Sequence, residues 1–147
     1  MKKFLVITAS VLALLLAWSL PSADAADGFK VVVNSANDVS EISKKELSAL
    51  MLKKRSKWPG SDLKVDPVDL VTDSPVREAF SKLIHGRSTS GIESFWQRQI
   101  FSGKGVPPTK VANDSDVIDH VKENPGGIGY VSPNASVDGV KVVAIVN

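Results

Sequence analysis

The stretch VANDSDVIDHVKENPGGIGYV, residues 111–131, decides the fold. Asp114 or Ser115 stands where a helix cap belongs, and Val117, Ile118 and Val121 follow at helical spacing. Pro125-Gly126-Gly127 breaks that helix. Ile128-Gly129-Tyr130-Val131 comes next, an apolar run of strand length. A short amphipathic helix leading straight into a buried strand is the alternation of an α/β domain.

The flanks repeat the pattern. Val140 to Val146 reads as a last strand and Phe29 to Val33 as a first one. Ser43-Lys44-Lys45-Glu46 has the form of a capping box, with Leu47, Leu50 and Met51 behind it and an end expected among Lys53 to Arg55. Trp58-Pro59-Gly60-Ser61 is a turn. Leu63 to Leu70 alternates as a strand, and Pro67 implies an irregularity or an edge position. Asp73-Ser74-Pro75 starts a helix with proline at its first position, carrying Val76, Phe80, Leu83 and Ile84 to His85-Gly86-Arg87. Ser88-Thr89-Ser90-Gly91 opens another, with Ile92, Phe95, Trp96, Gln99 and Ile100. The order is strand, helix, strand, three helices, strand, strand: one sheet with helices packed on it.

The N-terminus reads as an address. Lys2 and Lys3 precede an apolar run from Phe4 to Leu20, and Ala23-Asp24-Ala25 offers small residues to a signal peptidase. The run is short for a membrane span of ~20 residues. Residues 1–25 are therefore expected to be a cleaved signal peptide and 26–147 the working domain, periplasmic or secreted, with no membrane span. Lys2, Lys3 and Asp24 leave with it, so the net charge of +2 falls by one. Such a balance gives no footing for nucleic acid, and Lys53-Lys54-Arg55 reads as a solvated helix end. The absence of cysteine removes disulfides, thiol catalysis and cysteine metal sites.

No catalytic set emerges. His85 and His120 lack metal-ligand spacing, and there is no Gly-x-Ser-x-Gly elbow. Asp62, Asp66, Asp69 and Asp73 read as a solvated strand face plus a helix cap. The anion-binding candidates are helix starts, where backbone N–H groups are free, at Asp73-Ser74 and Ser88-Thr89-Ser90. The expectation is a protein that is not an enzyme, without cofactor or metal.

Several segments resemble the periplasmic phosphate-binding proteins of ABC transporters. They are LSALMLKKRSKW (47–58), DSPVREAF (73–80), FWQRQIFSGKGVPP (95–108) and the 111–131 stretch with its Pro-Gly-x-Ile-Gly-Tyr-Val motif. The resemblance implies a single lobe of the periplasmic-binding-protein type II-like fold, where the family has two lobes closing over phosphate. It implies association with phosphate or another small oxyanion, and an envelope transport or receptor protein as partner. Ser74 matches the family serine, and Arg77, Arg87 and Ser88 stand nearby. Leu70 stands where the family has arginine, and Pro75 and Val76 replace its Gly-Thr. The alternative is an interaction module that has lost ligand binding, with Trp58 the aromatic expected at its surface and Phe95 and Phe101 expected in the core.

Overall fold

The computed structural model describes residues 28–147; the expected signal peptide and its cleavage site lie outside the described residues. The strands are β1 (Lys30–Asn34), β2 (Glu41–Ser43), β3 (Asp66–Leu70), β4 (Thr109–Val111), β5 (Gly127–Val131) and β6 (Val140–Val146). The helices are α1 (Lys44–Met51), α2 (Pro75–Phe80), α3 (Thr89–Phe101) and α4 (Asp114–Glu123), and α2 continues as a π-helical turn over Ser81–His85. The strands form one mixed sheet in the order β2-β6-β1-β5-β3-β4. β1 runs antiparallel to β5 and β6, while β3 is parallel to both β5 and β4. The expected α/β class holds. The three-residue strands β2 and β4 were not expected, being too short to show a period.

Helices cover both faces, and β5 shows how. Successive strand residues point to opposite sides. On one side of β5, Gly129 faces Val117 of α4 and Val68 of β3. On the other, the Tyr130 ring stacks on Phe80 of α2 at 3.9 Å, with Phe29 edge-on to both. The main core gathers β1, β3, β5 and the inner faces of α1, α2 and α4. Leu52, Ile92 and Trp96, with Phe95 against them, make a second, smaller core under α3.

Local details amend the sequence reading. α4 is capped by Asn113, whose side chain accepts from Asp116 N at 2.9 Å, not by Asp114 or Ser115. α1 stops at Met51, before the basic cluster, because Lys53 turns to φ 53°. Glu46 gives its carboxylate to Arg55 at 2.7 Å. Pro67 does not sit on an edge strand; β4 pairs with β3 only from Val68 onward, so the missing N–H disturbs no bond on that side. Trp58 is buried, and its indole N–H donates to Gly126 O at 3.1 Å. Phe101, expected in the core, is exposed.

His85 closes the π-helical turn, and Gly86 follows at φ 66°, the left-handed cap that glycine adopts without a Cβ clash. The ring's Nδ1 lies 2.8 Å from Ser48 Oγ. Burial, then the charges of Arg77, Lys54 and Arg87, lowers its pKa from 6.5 to about 4. The unfolded ring thus binds a proton that the folded ring refuses. Stability should be full above pH 6.5 and fall as pH drops from there toward 4. The loss expected from this group is on the order of 3 kcal/mol. Urea denaturation across that range should show the slope, and His85→Gln should flatten it.

Candidate functional site

β3 leads into α2 through Val71-Thr72-Asp73-Ser74. Ser74 N donates to Val71 O at 3.1 Å, which closes the corner. The Ser74 hydroxyl then caps α2 by accepting from Arg77 N at 3.3 Å. Asp73 is exposed and is not the cap. Pro75 carries no N–H, so the first turn has fewer donors to offer than an ordinary helix start.

Behind Ser74 lies an ion-pair cluster drawn from five elements. The Arg77 side chain is wholly buried, with Nη2 at 2.7 Å from Glu93 Oε1 of α3 and 3.3 Å from Asp69 Oδ2 of β3. Its Nη1 donates to Thr72 Oγ1 at 3.2 Å. Lys110 of β4 reaches the same Glu93 oxygen at 2.7 Å. On β5, the Tyr130 hydroxyl donates to Asp69 Oδ1, which also accepts from Leu70 N at 2.9 Å. Among the described residues, Arg77 Nε has no hydrogen-bond partner, and Nη2 sits close to both carboxylates without aligning on either.

The electrostatics follow from that packing. Burial pushes the Asp69 carboxyl above its ordinary range, against the pull of Arg77, Tyr130 and the Leu70 N–H. Desolvation would also raise Glu93, but hydrogen bonds from Lys110 and Arg77 and their charges bring it below its ordinary value. Burial and the adjacent Asp69 carboxylate hold the Tyr130 hydroxyl protonated. Two cations therefore face two carboxylates, and Lys110 and Glu93 are the members that reach solvent.

The residues singled out from the sequence separate here. Ser74 and Arg77 share the corner, and both are engaged: one as a cap, the other between carboxylates. Ser88 caps α3, accepting from Gly91 N at 3.2 Å. The two helix starts are stitched together, since Thr89 N donates to Glu78 Oε2 of α2 at 2.9 Å. Leu70 is buried in the core. Sequence reading missed Asp69, Glu93, Lys110, Thr72 and Tyr130. The available signal was Asp69 itself, an acid between Val68 and Leu70 in a strand buried along most of its length. Such an acid needs a buried partner.

A concavity of about 490 Å³ lies between the 36–42 loop and Trp58–Leu63, rimmed by Asp38, Glu41 and Glu46. β1 runs opposite to β5, and β5 is parallel to β3, so this is the far end of the sheet from Ser74. Its carboxylates have the wrong sign for an anion. Among the described residues, no group of His, Asp and Glu is placed to hold a metal ion. None of their helices is long and apolar enough to cross a membrane.

A helix start at the carboxyl end of a sheet strand is where open α/β folds place ligands, and solved structures share this architecture. An ABC-type phosphate transport receptor from Vibrio cholerae aligns with a TM-score of 0.64 at 22% identity, over 81% of this chain and 46% of the receptor. The chain has the fold of that matched part. A substrate-binding protein assigned to phosphate ABC transport in Clostridium perfringens, solved with bound phosphate, aligns at 0.64 and 19% identity, over 81% and 45%. A possible phosphate-binding protein from Planctomyces limnophilus aligns at 0.61 and 23%, over 82% and 42%. This chain thus spans a little under half the length of these phosphate-receptor structures, as expected of a single lobe. No family model matches it, and no curated protein matches it. The sequence resemblance to phosphate-binding proteins is met at the level of the fold.

Proposed function

We propose that this chain is an exported, non-enzymatic, solute-binding-like protein. It presents one wall of a site for phosphate or another small oxyanion at the β3–α2 corner. Export and a periplasmic or secreted location rest on residues 1–25 as a cleaved signal. The observation that carries the ligand reading is the shared fold with phosphate receptors, joined to a Ser74 hydroxyl at the β3–α2 corner with Arg77 behind it. Ser88, at the neighbouring helix start, is the third residue of the set. Lys110 supplies the cation nearest solvent.

The cluster also predicts the strength. Glu93 holds both cations, so an oxyanion must compete with a carboxylate already in place. A one-sided site leaves its ligand wet. Calorimetric titration of phosphate into residues 26–147 should give saturable heat with a Kd on the order of 0.1–1 mM, and sulfate serves as control. Ser74→Ala should weaken binding. Glu93→Gln should tighten it about tenfold, worth ~1.4 kcal/mol, by releasing Lys110 and leaving Arg77 with Asp69 as its one carboxylate. No heat up to ~10 mM phosphate from folded protein, in wild type and Glu93→Gln alike, would discard ligand capture at this corner.

A further inference from the structure

α3 ends in an apolar knob. Phe101 is 90% exposed, Val106 64% and Ile100 51%, and every residue from Ile100 to Val106 is exposed. The knob is nevertheless ordered by its own bonds. Lys104 N donates to Gln99 O at 2.9 Å, Gly103 N to Ile100 O at 3.1 Å, and Ser102 Oγ to Arg98 O at 2.7 Å. Lys53 Nζ reaches Pro107 O at 3.5 Å and ties the loop to the end of α1.

Charge around the knob has one sign. No acid occurs from Ser94 to Asn113, a stretch that holds Arg98, Lys104 and Lys110. Lys53 and Lys54 adjoin it, Lys54 standing 5.8 Å over the Phe95 ring. Among the described residues, Arg98, Lys104, Lys53 and Lys54 have no carboxylate at ion-pair distance.

We infer that this knob docks on an anionic lipid surface, with Phe101, Ile100 and Val106 entering the headgroup boundary and the four cations meeting lipid phosphates. A side chain as bare as Phe101 has almost no protein surface beside it, so the patch is a projection and not a groove. A protein partner would have to bring a fitted hole, whereas a bilayer interface yields to a projection. Apolar anchors within a ring of Lys and Arg are the composition that partitions there. The knob also stands apart from the β3–α2 corner. α3 has 13 residues. Glu93, its member of the corner cluster, precedes Phe101 by eight residues, roughly 12 Å along the helix at about 1.5 Å per residue, so lipid and oxyanion need not compete.

The test uses residues 26–147, because the sheet and both cores form within 28–147 and the apolar run of 4–20 would bind vesicles by itself. Co-sedimentation should show about tenfold more binding to phosphatidylglycerol–phosphatidylcholine vesicles than to phosphatidylcholine alone. Phe101→Ser and Lys104→Glu should each reduce it about tenfold. About 0.5 M salt should abolish it. Phe101 packs on little, so an unchanged urea midpoint in Phe101→Ser will separate docking from folding. Equal binding to both vesicle types, no binding, or variants that bind like wild type would each overturn the inference. So would a dimer in sedimentation that Phe101→Ser dissociates, which would assign the knob to a protein contact.

Discussion

Arg77→Met is expected to cost about 3–5 kcal/mol of folding stability, the usual result of removing one partner from a buried ion pair. The reason is the company it leaves. Asp69 loses its counter-charge while remaining buried beneath Tyr130, and burial already opposes its ionised form. Glu93 keeps Lys110, and Thr72 is open to water, so the strain concentrates on Asp69. A domain of this size has about 5–15 kcal/mol in hand, so the variant should unfold at a much lower urea concentration. The paired experiment separates the charge from the space it fills. Asp69→Leu, Arg77→Met and Tyr130→Phe together remove both charges and the hydroxyl that Asp69 receives. That triple variant should lie within about 2 kcal/mol of wild type, because a buried pair replaced by apolar groups of similar volume is often neutral. If Arg77→Met alone costs less than about 1 kcal/mol, solvent reaches Asp69 more freely than its burial indicates.

The same cluster shows why the site was less legible than the fold. Strand and helix order follow from spacing within one segment, and those were readable from Leu47, Leu50 and Met51 or from Val117, Ile118 and Val121. Asp69, Arg77, Glu93, Lys110 and Tyr130 come from five different elements and meet only through the sheet order. Asp69 also passed for one member of an exposed acidic series, because a neighbouring strand, not its own period, decides what it faces. The aromatics reversed for a related reason. Trp58 sits in a turn, but that turn is folded onto Gly126. Phe101 continues the apolar spacing of α3, but α3 stands on its own small core and runs past it. Short edge strands such as β4 carry too few residues for a period and are set by their partner, here β3.

Gly126→Ala should rank with Arg77→Met, costing about 3 kcal/mol or more, because the added methyl group meets backbone that cannot move. A Cβ at Gly126 would stand 1.8 Å from Lys64 O and 3.0 Å from Lys64 C. That strand entry is pinned on both sides. Asp66 N donates to Gly126 O at 2.9 Å, Val65 N to Ser56 O at 3.0 Å, and the Trp58 indole holds the same Gly126 oxygen. Relief would have to break the first of these, which joins the start of β3 to the chain entering β5, and unseat Trp58 from the core. The flexible far end of a side chain could have swung away; the Lys64 carbonyl, followed directly by the bonded N–H groups of Val65 and Asp66, cannot. Gly105→Ala is the matched control. Gly105 has nothing within 4 Å of an added Cβ and no left-handed φ, so alanine there should be neutral or gain up to about 1 kcal/mol through the unfolded chain. Urea denaturation of both variants decides the matter. A large loss at Gly126 alone means that Pro125-Gly126-Gly127, which reads as a helix breaker, is equally the place where two strands come too close for any side chain. Equal, small effects would mean that the strand entry gives way and that Trp58 is not locked there.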